Sequence, residues 1–214
     1  MIELFTTALV TFAVIIDPPG NAPIFASLTT HATPEQKRRM AIRACLVAWC
    51  ILIFFALVGE PMLEALGISL AAFRIAGGIM LFMIALEMVF EKRTERREKR
   101  AEELEGTPEA EDVSVFPMAI PMIAGPGTIA AVMLYSSRAA GTSEWLVVMG
   151  AMTLVILVTM LALLAAGPLM KLVGHKVEAM ITRLLGVILA ALAAQFIVDG
   201  LIQSFPVLSG GTAG

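Results

Sequence analysis

Ile15-Ile16-Asp17-Pro18-Pro19-Gly20-Asn21-Ala22-Pro23 interrupts a long apolar run that begins at the N-terminus and resumes with Ile24-Phe25. Pro18 and Pro19 have no N–H, and a proline pushes the residue before it, Asp17 included, out of the helical region. Gly20 can take backbone conformations closed to other residues. Asn21 is placed to cap a restarting helix, with Pro23 tolerated in its first turn. The stretch therefore predicts a helix broken after Ile16. Inside a membrane, carbonyls and amides freed at such a break cannot face lipid. A carboxylate at that depth marks a candidate site for a solute or an ion.

The rest of the chain supplies the membrane setting. Apolar residues make up 58% of the 214 and charged residues 15%, against about a quarter charged in an ordinary soluble domain. Mean hydropathy is +0.88. A spanning helix needs roughly 20 mostly apolar residues, and six stretches qualify, at 4–30, 40–58, 70–90, 115–137, 145–169 and 181–202. The net charge of -3 offers no basic surface to nucleic acid. Cys45 and Cys50, the only cysteines, share one apolar stretch and read as small packing residues, not as a disulfide or a metal pair. No Cys/His cluster, phosphate-cradling glycine loop or Ser/His/Asp set is visible, so the chain reads as neither an enzyme nor a metalloprotein, and no cofactor is expected.

Thirteen of the fifteen Lys and Arg residues fall on one side of a six-span chain, in the loops after the first, third and fifth spans. Only Arg74 and Arg138 fall on the other side. The positive-inside rule assigns the thirteen to the cytoplasm and both termini to the outside of the cell membrane, the inner membrane of a bacterium with two. Arg74 and Arg183 read as interface anchors, with pairing to Glu60 or Glu178 as the alternative. Glu87 and Asp199 read as reaching headgroups, and Gln195 as an inter-helix hydrogen bond. Glu60-Pro61 reads as the end of the second span.

The second half repeats the first. Ala124-Gly125-Pro126-Gly127-Thr128 lies 107 positions after Asp17-Pro18-Pro19-Gly20-Asn21, and the same offset relates Pro61 to Pro168 and Gly67 to Gly174. After a two-residue insertion, Arg74 matches Arg183 and Gly77 matches Gly186. Each unit holds three spans, and an odd number forces the second unit to cross in the opposite sense. The fold expected is all-α and integral to the membrane: six helices as two inverted three-helix repeats, the first and fourth broken. The divisions are a first repeat at 1–90, a charged cytoplasmic linker at 91–112, a second repeat at 113–205 and a flexible tail at 206–214.

Matching broken helices in the two halves of an inverted repeat point to a transporter binding site. Restarting helices present N–H groups and positive dipole ends to an anion, and the helices that stop present carbonyls to a cation. A small zwitterion satisfies both, and Gly, Pro and Thr leave room for little more. Asp17 matches Ala124, so one carboxylate is expected there, either binding the substrate ammonium, a proton or a sodium ion, or capping the local amides. Asn21 and Thr128 read as caps, ligand contacts or both.

The D-P-P-G-N-A-P-I-F stretch, with P-M-A-I-P-M-I-A-G-P-G-T-I at 117–129, resembles the MarC family. That family is also described as the small neutral amino acid transporter family and is similar in plan to the lysine-exporter superfamily. The resemblance extends from Met1 to about Phe205. It implies proton-coupled transport of glycine, alanine and similar small neutral amino acids. By motif position it implies a substrate site lined by Asp17, Gly20, Asn21, Pro23, Gly125, Gly127 and Thr128. Expected partners are a small neutral amino acid, a proton or sodium ion and the lipid bilayer. A channel or pore for small solutes, or a non-transporting accessory protein of the membrane, are the alternatives in other classes.

Overall fold

The computed structural model describes residues 1–93, 95–96, 99 and 112–205, with backbone alone over 168–178. Among them are seven α-helices and one wider helical segment: α1 (Ile2–Ile16), α2 (Pro18–Leu28), α3 (Pro34–Ala65), α4 (Leu70–Val89), α5 (Ser114–Ile123), α6 (Pro126–Arg138), α7 (Thr142–Leu164) and α8 (Ala166–Ser204). Five stretches are long and apolar enough to cross a membrane, one of them α1 with α2 and another the last part of α8, Ala179–Ser204. The pair α5–α6, bent by 56°, makes a sixth if counted as one span. The expected tail and most of the expected linker lie outside the described residues.

Local chemistry sets the ends. Thr33 caps α3 in a reciprocal box with Gln36, and Pro34 follows at the first helical position. Ser69 caps α4 through Ala72 N. Pro61 does not end α3 but lies inside it, exposed, and the helix stops at Leu66 with Gly67 at φ 69°. A proline in a helix costs one backbone hydrogen bond, and α3 already has three turns of apolar packing behind that point. In α5 the bonds from Met118 N to Val113 O and Ala124 N to Ala119 O reach five residues back, and Phe116 and Ile120 are extended before the cis prolines Pro117 and Pro121.

The broken spans run through the middle. Phe12, Ile15, Ile16 and Phe25 of α1–α2 and Ala131, Val132 and Leu134 of α6 are fully buried, whereas α3, α4, α7 and α8 each turn large apolar side chains outward. Such an outward apolar surface is what lipid requires. The most extensive contact is between α4 and α8, which run antiparallel: Gly78 lies against Ala193 and Ile197, and Gly186 against Ala85 and Met88.

Side chains at the helix ends pair in two groups. Arg43 with Asp112, Arg96 with Glu87, and Arg183 with Glu91 join the ends of α3, α4, α5 and α8 on one side. Arg138 with Asp199 and Arg74 with Gln203 join α6, α8 and α4 on the other. Among the described residues Arg183 pairs with Glu91 and Arg74 with Gln203, not with Glu60, while Glu178 lies outside the described side chains. Glu87 and Asp199, expected at headgroups, pair with Arg96 and Arg138, and Gln195, expected to bond between helices, bonds along its own helix to Asp199. Most charges near an apolar exterior take a protein partner of opposite sign, and Arg74 takes an amide oxygen.

At Gly78 a methyl group would sit 2.9 Å from Ala193 O and 3.1 Å from Ile197 N, backbone atoms that cannot swing aside. Gly78→Leu should therefore lower the stability of detergent-purified protein by about 1–3 kcal/mol or more. Gly150→Ala, where a methyl meets nothing within 4 Å, should leave the melting temperature equal or higher. Equal melting of Gly78→Leu and wild type would contradict the close α4–α8 contact.

Candidate functional site

The first break is one residue wide. α1 ends at Ile16, and Asp17 adopts a left-handed conformation, φ 59° and ψ 66°, which Asp tolerates better than most residues. Its Oδ1 accepts from Gly20 N at 3.2 Å. Asp17, not Asn21, is thus the N-cap of α2, and the helix restarts at Pro18. Two prolines fit there because the first helical positions need no N–H donor and favour a fixed φ. The earlier restart moves Pro23 from the first turn into the helix interior, where it is half-buried. A Cβ at Gly20 would collide with the Asp17 carboxylate folded over it.

Asn21 closes the break. Its Nδ2 donates to Ile16 O at 2.7 Å, five residues back. The second break is closed in the same way: Thr128 Oγ1 donates to Ile123 O at 2.9 Å, also five residues back. Asn21 and Thr128 are repeat mates, and so are Ile16 and Ile123, both pairs at the offset of 107. Thr128 is the third residue of α6 and does not cap it. The cap is Gly125, which offers no side chain and approaches Pro121 O so closely that a Cβ would collide.

The two breaks touch. A Cβ built on Gly127 would lie 3.5 Å from Ile15 Cγ2 and 3.4 Å from Leu81 Cδ2, so the restart of α6 packs on the end of α1 and on α4. One turn from there, Thr11 Oγ1 and Tyr135 Oη are 2.9 Å apart and tie α1 to α6. The Tyr135 ring meets Phe12 and Phe196, and Arg138 lies over Phe196 at 5.0 Å. Asp17, Asn21 and Thr128 are all within 1% of complete burial.

Electrostatically the halves differ. The start of α2 has its anion already, the Asp17 carboxylate. The start of α6 has a bare glycine cap, so its positive end is available to an outside anion. At the first break, Asn21 Oδ1 is buried with no hydrogen-bond partner among the described residues. A buried acceptor left so costs about 1–3 kcal/mol, a cost that a ligand N–H or a cation would remove.

Sequence reasoning missed Arg93. It counts among the loop charges that set orientation, yet it is 7% exposed and its Nη2 donates to Ile15 O at 2.6 Å. Glu91, with φ 61°, closes α4 in a left-handed conformation and turns the chain back on itself. Nothing in the residue types marks Glu91 for that conformation, so a charge run gave no signal that one member turns inward.

Comparison with known proteins places this architecture among relatives. The family described as "MarC family integral membrane protein" matches residues 2–205. A UPF0056 membrane protein of Archaeoglobus fulgidus is 34% identical over 94% of each chain. The UPF0056 membrane protein YvbG of Bacillus subtilis is 34% identical over 98% of this chain and 99% of its own. The UPF0056 inner membrane protein YhgN of Escherichia coli K12 is 33% identical over 91% of this chain and 94% of its own. No solved structure matches the chain.

Thr128→Val keeps the shape of the side chain and removes its donor, stranding Ile123 O. Thermal unfolding in detergent should show a loss of about 1–3 kcal/mol, and Thr128→Ser should recover most of it. A Thr128→Val protein as stable as wild type would mean that the carbonyl has another partner.

Proposed function

The chain belongs to the MarC family of integral membrane proteins, and on that footing we propose that it is a secondary transporter of small neutral amino acids of the glycine and alanine type. It works by alternating access of two inverted three-helix repeats, residues 1–90 and 113–205, with proton coupling through Asp17. No covalent chemistry is part of it. The placement is the cytoplasmic membrane with both termini outside; the name of the Escherichia coli relative calls that protein an inner membrane protein.

One observation carries the reading: two helix breaks, related by the sequence repeat, are closed by the same five-residue back-bond and lie in contact with each other in the interior. A helical span gains nothing in stability from a break, and matched breaks in two halves are the usual seat of a transporter's ligand. The antiparallel α4 and α8, third helices of their repeats, support the inverted relation.

Asymmetry gives the ligand a direction. Its carboxylate goes to the N-terminus of α6 at Gly125, Gly127 and Thr128, where no side-chain anion stands. Its ammonium goes to the carbonyl end of α1, to Asp17 and to the open Asn21 Oδ1, beside Gly20. Pro23, on the far side of the α2 first turn, shapes the wall and does not touch the ammonium. Ile84, Leu81 and Ile15 close on Gly127 so tightly that even a Cβ there would meet Ile84, and a bulky substrate side chain would have to displace them. Selection for small substrates follows from that packing.

Equilibrium binding to purified protein should rank glycine and alanine well above leucine and lysine; equal binding of all four, or none, would sink the assignment. Asp17→Asn keeps an acceptor for Gly20 N and removes the titratable charge. Uptake into liposomes by that variant should lose its pH dependence, and its sodium dependence if sodium is the coupling ion. Unchanged dependence on both would take Asp17 out of the coupling role.

A further inference from the structure

Arginines that follow a membrane helix ordinarily run outward, laying their methylenes on apolar surface and their charge among headgroups. Arg93 does the reverse. It leaves the turn after α4, passes Met88 with Nη1 3.1 Å from Sδ, and reaches the last turn of α1, where Nη2 donates to Ile15 O at 2.6 Å. Ile15 O is one residue from the carbonyl that Asn21 holds, and Ile15 is the α1 residue against which Gly127 of the second break packs. Arg93 therefore places a positive charge and N–H donors at the carbonyl end of the first break. Those are the chemical features of a substrate ammonium. The segment carrying it is held at its surface by exposed pairs, Arg183 with Glu91 and Arg96 with Glu87, and such pairs are weak enough to part and re-form.

We propose that Arg93 is a tethered cation that closes the first break toward the side of the membrane from which it enters, the cytoplasm by the charge pattern, and that the ammonium of the substrate and the Arg93 guanidinium hold the Ile15 carbonyl in turn. The competition with substrate rests on the transporter reading above; the closure does not. Two positive groups at one carbonyl in a medium of low dielectric repel strongly, so binding of one favours departure of the other. With Arg93 in place, the carbonyls at the end of α1 are satisfied and the break is sealed. With Arg93 withdrawn, the break opens to the linker side and its carbonyls become available to a ligand cation. Arg93 is a positioning residue: it sets which face of the membrane the site communicates with.

The test uses the full chain in sealed membrane vesicles of both orientations, in a Cys45→Ala, Cys50→Ala background with Ala22→Cys beside the break. The probe is a membrane-impermeant maleimide. Arg93→Ala should raise the labelling rate about tenfold from the linker side, as for an open state that rises from roughly a tenth of the population to most of it, and leave the rate from the other side equal or lower. Arg93→Lys, which keeps the charge, should restore the parent rate. Arg93→Gln, which keeps a hydrogen-bond donor without charge, should not. Equal rates in Arg93→Ala and parent, or rescue by Gln, would overturn the proposal in favour of a simple helix cap. Acceleration from both faces would overturn it by showing loss of packing. Glycine binding to protein with alanine at position 22 gives the second readout: Arg93→Ala should bind about tenfold more tightly than the parent by the same arithmetic, and unchanged or weaker binding would overturn the competition. If the parent binds no glycine, the transporter reading falls, and the labelling rates still decide whether Arg93 closes the break.

Discussion

A peptide group released from a helix inside hydrocarbon must find its partner within the protein. This chain releases such groups at Ile16 and again at Ile123, and it meets both demands with one device. The fourth residue of α2, Asn21, and its repeat mate Thr128 in α6 each turn a donor back across the gap to the carbonyl five residues earlier. Two different side chains reach the same solution because both carry a short donor on a residue whose backbone is already helical. The breaks persist because those bonds hold the flanking helices at a fixed offset, and the offset lets Gly127 settle on Ile15.

The surrounding helices follow from that core. The two breaks and α6 take the middle, while α3, α4, α7 and α8 carry most of the outward apolar surface and α5 adds Val115, Phe116 and Ile120. The covering helices close where glycine permits, as at Gly78 and Gly186 between α4 and α8. Charges go to the two ends, where opposite signs meet across helices instead of facing the hydrocarbon. Few polar side chains remain inside, and most are committed: Trp49 Nε1 to Thr153, Thr11 to Tyr135, Asn21 and Thr128 to the breaks. Against that background an open Asn21 Oδ1 and an inward Arg93 stand out as groups with work beyond holding the fold.

Much of this was legible in the residues. The apolar runs located five spans, and a sixth if the bent α5–α6 pair is counted as one, and the proline and glycine punctuation located the two breaks. Boundaries suffered where a proline was read as a stop. Pro61 sits inside α3 because long-range packing outweighs one lost hydrogen bond, and Pro18 opens α2 because the first helical positions have no use for the missing N–H. Asp17 caps the local amides, one of its two readings, and Asn21, read as a cap, bonds back across the break instead; either type caps well, and only the left-handed backbone at Asp17 decides between them. Arg93 was invisible as a site residue, since a left-handed Glu91 turns it inward and residue type alone does not predict that conformation. Gly127, expected as bare backbone at the site, is the residue of α6 that packs on Ile15 of α1, which its residue type alone did not indicate.

The account stands on one claim, that matched breaks held in contact by their own side chains serve a bound solute carried from face to face. Counterflow tests it most directly: purified protein in liposomes loaded with unlabelled glycine, followed by dilution into labelled glycine. The account predicts transient accumulation of label above equilibrium, saturating with external glycine, since a site open to one face at a time must exchange its ligand. Label entering in linear proportion to concentration, with no overshoot, would contradict it and describe a pore.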